Sequence, residues 1–352
     1  MVMLTIFHFA LTLTTLIAGV AHARQPSLRG FAAGLAVVVL IATFLAHLLP
    51  AFFGAGGFGF MLLAAVSLFI YLPIYLLFAA AVLVRRQRWT AAIAGTGALT
   101  LVGVGIYAFF VEPTNLEVSH HEIRSPRLDR EIRVVVLADF QTDQFGNWER
   151  RVLDTIMDQE PDLILLPGDY VQVHNEQRRS YVRAALRHYL QKIEFGAPLG
   201  AFAVRGDVET DDWPEIFAGT GVRALRFSGT LDLPGLTLTA LTLHDSRYTD
   251  LKVPRAENFH IAFGHAPDFA LKEVEADLLV AGHTHGGQVQ IPGIGPLIWF
   301  SRVPRDWATG VTDVGRGRTL VVSRGTGMER HWAPRLRFFC RPEIVVLDLL
   351  PI

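Results

Sequence analysis

Cysteine is nearly absent from this chain. Cys340 stands alone among 352 residues, which excludes an internal disulfide framework and any thiolate metal cluster. A lone thiol leaves the redox compartment open. Acidic side chains are missing from the first 111 residues, since all 33 lie at or after Glu112. Before that point the only charged side chains are Arg24, Arg29, Arg85, Arg86 and Arg88. With those five set aside, the remainder holds 27 basic residues against 33 acidic ones, a formal charge of −6. The near-neutral total of −1 therefore conceals two unlike parts, and a single soluble globule is excluded. A segment this acidic has no bulk attraction for a phosphate backbone, so no nucleic-acid partner is expected. At about 240 residues it is long enough for one sizeable core.

The apolar part comes in runs of span length. No charged side chain occurs in 1–23, 30–84 or 89–111, and a helix needs about 20 apolar residues to cross a hydrocarbon layer of about 30 Å. The long middle run holds two such spans, broken at Pro50 and the glycine-rich Gly54–Gly59 turn. Four transmembrane helices are expected, near 2–21, 31–53, 59–84 and 90–111, in a membrane domain of residues 1–111. A linker over 112–130 and a soluble domain over 131–352 follow. A cleavable leader is the rival for residues 1–23, with Ala21-His22-Ala23 as its small-residue site. The charge order is reversed for a leader, because no Lys or Arg precedes the run and two arginines follow it. In a four-span topology the 24–29 and 85–88 loops share a side and are basic, so positive-inside counting puts them in the cytoplasm and the C-terminal domain outside. Arg124, Arg127, Arg130 and Arg133 after the last span count against this, unless they belong to the folded domain. No charge lies within a span, which argues against an ion or proton path.

From Glu131 onward short apolar runs end in small or polar residues. Arg133–Ala138 leads into Asp139, Asp162–Gly168 into Asp169, and Gly200–Gly206 into Asp207. Phe259–Gly264 leads into His265, and Ala276–Gly282 into His283. Continuous β-branched runs suit strands buried on both faces. Helices fit Asn147–Gln159 and Arg178–Ile193, and later runs at Leu236–Leu243, Thr319–Ser323 and Glu343–Leu349 suggest a mixed α/β sheet. One Asp after a strand is commonly a cap or a turn. Five strands each delivering Asp or His at the edge where open α/β sheets bind ligands form the donor set of a divalent metal site.

This order of motifs resembles the calcineurin-like metallophosphoesterase superfamily, whose pattern is Asp-x-His, Gly-Asp, Gly-Asn-His-Asp/Glu, a lone His, then Gly-His-x-His. Here these stand as Asp139-Phe-Gln141, Gly168-Asp169, Gly206-Asp207-Val208-Glu209, Gly264-His265 and Gly282-His283-Thr-His285. The stretch Gly282–Gln288, with Ser323–Gly327 and Arg341-Pro-Glu343, is similar to the membrane-associated bacterial phosphodiesterase branch. The resemblance covers about 131–350 and implies a four-layer αββα sandwich with two divalent metals. Asp139, Gln141, Asp169 and His285 would hold one; Asp169 would bridge to a second, held by Asp207, His265 and His283. A bacterial inner (cell) membrane is the expected location, and the arginine loops, not the resemblance, put the catalytic domain on the periplasmic or outer side.

Three positions depart from the pattern. Gln141 replaces a histidine with a neutral oxygen donor, which favours Mn²⁺ or Mg²⁺ over Zn²⁺ or iron. Asp207 replaces asparagine and adds a charge. Val208 stands where the family has a histidine that contacts the substrate phosphate, so the catalytic acid is unassigned. Removal of a general acid usually costs about 10²–10⁴-fold, least for leaving groups that need no proton. His174, His244 and His331 are candidate substitutes, each more simply read as a structural or surface residue.

The expected function is a membrane-anchored metal-dependent phosphoesterase for a phosphodiester or phosphoanhydride, on a phosphorylated small molecule or lipid. The alternative is a non-catalytic membrane protein that uses a metal-binding domain of this kind for ligand or partner binding. Asp143 reads as a solvent-exposed turn or an extra ligand. The apolar loop Pro292–Phe300 reads as a buried hairpin, or as a lipid contact with Trp299 as interfacial anchor. Arg324 and Arg330 are candidate phosphate contacts, and Trp332, Phe338 and Phe339 read as core.

Overall fold

The computed structural model describes residues 2–24 and 26–352. The chain divides into two compact units, one of Met1–Phe110 with Glu329–Arg335, the other of Val111–Met328 with Leu336–Ile352.

The first unit is helical. Helix α1 spans Val2–Arg24, and α2 spans Leu28–Phe53 with Ser27 accepting the Gly30 N–H at its start. Helix α3 (Gly56–Val66) continues through a π-turn, Ser67–Tyr71, into α4 (Leu72–Leu83). Helix α5 begins at Arg88 and runs to Ile106, and irregular turns carry the helical path on to Thr114. All four continuous helices are long and apolar enough to cross a membrane. Their contacts recur every three to four residues: Met3, Phe7 and Leu11 of α1 meet Ala42, Ala46 and Leu49 of α2, with Leu63 and Tyr71. Trp332 is partly buried against this cluster. Small residues at the contacts let the helix backbones approach, while Phe9, Leu40, Phe44 and Ile93 point outward and exposed. Pro50 lies inside α2, which ends at Phe53, where the span near 31–53 was expected to end. The turn comes at Gly54, whose left-handed backbone (φ 67°) closes a bond to the Pro50 carbonyl, the geometry glycine adopts without a Cβ penalty.

The second unit carries two six-stranded sheets. In chain order its regular elements are β1 (Glu117–Ser125), β2 (Ile132–Val136), α6 (Asn147–Met157), β3 (Leu163–Leu166), α7 (Glu176–Lys192), β4 (Ala201–Ala203) and β5 (Val222–Ala224). Then come β6 (Gly229–Leu233), β7 (Leu236–Ala240), α8 (Leu243–Arg247), β8 (Lys252–Val253), β9 (Phe259–Phe263), β10 (Glu273–Val274) and β11 (Leu278–Ala281). The last are β12 (Gln290–Ile291), β13 (Gly295–Pro296), β14 (Gly310–Asp313), β15 (Thr319–Val322) and β16 (Glu343–Pro351). One sheet has the order β1-β16-β2-β3-β4-β5 and the other β14-β15-β11-β9-β7-β6.

Alternating side chains explain the all-apolar strands. Val134, Val136, Leu163 and Leu165 face Leu238, Ile261, Leu278 and Val280 of the second sheet. Their neighbours Val135, Ile164 and Leu166 face Val152 and Ile156 of α6 and Val182 and Leu186 of α7. On the far side of the second sheet, Ala262, Leu279 and Leu320 pack on Phe269 and Val253. The result is the mixed-sheet α/β sandwich the resemblance implied, with a central core between the sheets and a further one on each outer face.

The 112–130 segment is not a linker, because β1 occupies most of it and pairs in parallel with β16, Glu117 beside Glu343 through Ser125 beside Pro351. Its sequence, Glu-Val-Ser-His-His-Glu-Ile-Arg-Ser, is too polar to announce an edge strand, and its ladder partner lies 226 residues on.

Candidate metal centre

Strands β2, β3 and β4 run parallel, as do β9 and β11. Their carboxyl ends therefore deliver Asp139, Asp169, Asp207, His265 and His283 to a shared edge, where the loops gather them into two groups. Asp139, Asp169 and His285 form one, and Asp207, His265 and His283 the other; within each group one ligand atom per residue lies within 4.8 Å of the others. Asp169 stands between them, with Oδ2 3.6 Å from His265 Nε2. Gln141 reaches the same place, its Nε2 donating to Asp169 Oδ2 at 3.3 Å. In this rotamer the amide orients Asp169; turned over, it presents an oxygen.

The backbone is bent to achieve this. Asp139, Gln141, Asp169, His283 and His285 all have positive φ, between 39° and 71°. Such conformations cost about 1–3 kcal/mol each in non-glycine residues and persist where surrounding structure enforces them. Here the Asp139 N–H donates to the Gly168 carbonyl and the Gln141 N–H to the Asp169 carbonyl. Two glycines make room. At Gly168 (φ 106°) a Cβ would lie 2.6 Å from the Gly206 nitrogen, and at Gly282 one would lie 2.9 Å from the Asp139 carboxylate. The space that glycine leaves at 282 lets the His283 N–H donate to both Asp139 oxygens, at 3.0 and 2.8 Å.

Hydrogen bonds fix the ring tautomers. His265 Nδ1 lies 2.9 Å from the Pro167 carbonyl and His283 Nε2 3.2 Å from the Phe300 carbonyl. A carbonyl only accepts, so those nitrogens carry the protons. In neutral rings the lone pairs of His265 Nε2 and His283 Nδ1 then face each other at 3.1 Å, with Asp207 oxygens 3.9 and 3.5 Å away. Converging lone pairs and carboxylates repel one another unless a cation lies among them. Imidazoles whose other nitrogen donates to a backbone carbonyl are the usual form of metal-ligating histidine. The donor set fits divalent metal ions.

Electrostatics agree. Burial, then the Asp207, Glu209 and Asp139 charges, raise the Asp169 pKa well above the carboxylate range. Asp207 is pushed up by burial but pulled down by His265, His283 and Arg247, and the pull wins. Burial and the His265 ring lower His283 to about 4, so it stays neutral with a lone pair to offer.

Several contributors gave no local signal. Glu209 is 3% exposed, and its carboxylate accepts from the N–H groups of Asp169, Tyr170 and Gly206, clamping two ligand loops. Only its place after Asp207-Val208 in the motif marks it. The Val208 N–H donates to Asp169 Oδ1 at 3.1 Å. Arg247, at the end of α8, reaches Asp207 Oδ2 at 3.2 Å. Arg337 is fully buried and donates to the Arg324, Gly325 and Gly327 carbonyls. That loop in turn donates from Thr326 and Gly327 to the Ala138 and Asp139 carbonyls.

Other expectations are corrected. Arg324 does not point to a phosphate: it is half-buried and paired with Glu343 (2.8 Å) and Glu117 (3.0 Å), the paired ends of β16 and β1. Asp143 is not a solvent-exposed turn residue; its side chain is 14% exposed and sits 4.0 Å from Arg178. His174, His244 and His331 are exposed, in keeping with the surface reading of each, and none is in either ligand group. The Pro292–Phe300 segment forms a hairpin, β12 with β13, but it is not buried, and Phe339 is 53% exposed rather than core.

Residues 132–287 match the calcineurin-like phosphoesterase family model, and the chain carries a calcineurin-like phosphoesterase domain. A Bacillus subtilis protein named uncharacterized metallophosphoesterase YkuE is 29% identical over 275 residues, 72% of this chain and 92% of that one. The Escherichia coli protein named phosphodiesterase YaeI is 28% identical over 289 residues, 76% of this chain and all of that one. The Campylobacter jejuni protein named uncharacterized metallophosphoesterase Cj0846 is 25% identical over 276 residues, 71% of this chain and 69% of that one. Metallophosphoesterase-type hydrolysis of phosphoric esters, dependent on divalent metal, is the activity these findings support.

Proposed function

We propose that the protein is a membrane-anchored phosphoesterase that hydrolyses a phosphodiester or phosphoanhydride, with a lipid-borne phosphate as the substrate class. The observation that carries the hydrolytic part is the pair of neighbouring donor groups, with Asp169 of one 3.6 Å from His265 of the other and two imidazole lone pairs turned inward. Divalent cations bound there would supply an acidified water and neutralise charge on the phosphoryl group. The chain's own residues do the positioning. Asp139, Asp169 and His285 make one anionic cradle, and Asp207, His265 and His283 the other. Glu209 and Gln141 hold Asp169 at the centre. Asp207 and Gln141 enrich the site in oxygen, which favours Mn²⁺ or Mg²⁺.

Val208 cannot protonate a leaving group, so substrates whose leaving group departs as a stabilised anion are favoured over alkyl monoesters. The name of the E. coli relative agrees with a diester. Membrane anchoring rests on the four apolar helices, and lipid specificity on proximity to the bilayer. The inner membrane as location and the domain's position outside the cytoplasm rest on the arginine loops. Arg127 and Arg133 support that orientation, because their ion pairs with Asp277 and Asp348 assign them to the folded unit.

The test uses full-length protein in detergent with Mn²⁺, assayed on bis-p-nitrophenyl phosphate and p-nitrophenyl phosphate, with Asp169→Ala as control. Metal-dependent diester turnover lost in the variant is expected; equal turnover by the variant would overturn the assignment. Val208 also favours a second reading, a domain that binds metal and ligand without turnover. Stoichiometric metal with no hydrolysis of either ester, unchanged in Val208→His, would select it.

A further inference from the structure

From Glu117 onward twelve large apolar side chains are exposed among the described residues, and half gather in one place. Ile291, Ile294, Leu297, Ile298 and Phe300 belong to the β12–β13 hairpin and the turn after it, each 40–52% exposed. Phe339 joins them: Phe338 bridges to Val289 at the base of the hairpin, and the Gln290 N–H donates to the Phe338 carbonyl. A local concentration of this kind marks an interaction surface, unlike apolar residues scattered singly.

We infer that this hairpin docks on the surface of the lipid bilayer and seats its apolar tip among the acyl chains beside the metal centre. Three features choose a bilayer over other occupants. The first is charge: no Asp or Glu occurs between Gly286 and Arg305, while Arg302 and Arg305 do, in a segment that carries −6 as a whole. Basic residues beside an apolar edge suit an anionic lipid surface. The second is Trp299, whose indole N–H donates to the Val303 carbonyl with the Arg305 guanidinium 5.3 Å from its ring centroid. Trp is enriched at membrane–water interfaces, and here a guanidinium lies over its ring. The third is tether length. The last long apolar helix extends to Thr114 and β1 begins at Glu117, so this unit stays within a short reach of any bilayer that holds the helix. The inference rests on the reading that these helices span a membrane.

The hairpin is also tied to the chemistry. The Phe300 carbonyl accepts from His283 Nε2, so the residue that ends the apolar tip holds a metal-ligand ring in its tautomer. A lipid-borne phosphate bound with its acyl chains in the bilayer would meet the donor groups at that edge.

The experiment uses full-length protein reconstituted in vesicles of phosphatidylcholine and phosphatidylglycerol. Cys340 is buried and burial raises its thiol pKa, so a new surface cysteine labels selectively with an environment-sensitive fluorophore. Labels are placed by Ile294→Cys in the hairpin, by Tyr181→Cys as an exposed control in the same unit, and by Leu40→Cys on α2. Lipids with quenchers near the headgroup or deep in the chain then report depth.

The expected result is a blue shift and loss of emission at 294, stronger with the shallow quencher, with no change at 181 and deep quenching at 40. Quenching at 40 but not at 294 overturns the docking alone. No quenching at either overturns the membrane reading and the docking with it. A blue shift at 294 that neither quencher reduces means protein covers the patch, and also overturns it.

Discussion

The two halves of the donor set are built differently. Asp139, Asp169 and His285 are all buried and all have left-handed backbone; the Arg337-braced loop closes on Asp139 from behind. In the other half Asp207 is exposed, has ordinary φ, and is met by Arg247 from the end of α8. Backbone strain and hydrogen bonds hold all of the first half, whereas in the second they hold only the two histidines, and Asp207 depends on charge balance at the exposed side. Rigidity at one side and access at the other is what a site needs when it must hold its ions and also exchange its ligand.

Predictions follow from this contrast. The largest effect is at the carboxylate between the halves: Asp169→Ala should reduce hydrolysis to background, since one half loses a ligand and the other the carboxylate 3.6 Å from His265. Val208→His should raise turnover of alkyl phosphodiesters by about 10²–10⁴-fold and leave p-nitrophenyl esters nearly unchanged, a split that kinetics on the two leaving groups would read. Glu209→Gln should weaken metal affinity by about 10–100-fold, as loss of outer-shell support does; calorimetric titration checks it. In the rigid half, Arg337→Met should cost about 3 kcal/mol by leaving buried carbonyls without a charged donor, seen as a lower thermal midpoint. In the open half, Arg247→Gln should change metal affinity by only about 2–5-fold, towards tighter binding, because a partly exposed ion pair competing for Asp207 is worth little.

The pH dependence has a definite sign. With Asp169 holding its proton to unusually high pH and His283 already neutral above about 4, metal uptake displaces a proton from the carboxylate cluster. Affinity should therefore rise with pH until Asp169 is ionised in the metal-free protein. Titration in buffers of different ionisation enthalpy would report the released proton.

Asp139, Asp169, Asp207, His265 and His283 were legible in the sequence because each closes a local apolar run, and strand ends are local features; His285 was legible only by its place in Gly-His-x-His. What was missed is long-range. Strand β1 is polar and acquires its ladder from β16; Arg324, taken for a phosphate contact, is consumed by the two glutamates those strands bring together. Arg247 and Arg337 come from elements that no motif connects to Asp207 or Asp139. The Pro292–Phe300 segment had two readings because nothing in local pattern distinguishes an apolar hairpin buried in protein from one at the surface, and the buried reading failed. The end of α2 was legible because the glycine-rich segment after Pro50 supplies the turn, at Gly54.

The most direct test is metal stoichiometry on full-length protein loaded with Mn²⁺, read by elemental analysis in the wild type, Asp139→Ala and Asp169→Ala. The account predicts two ions per chain in the wild type, one retained in Asp139→Ala, and neither held tightly in Asp169→Ala. Two ions retained in Asp169→Ala would contradict the shared carboxylate on which the whole site is built.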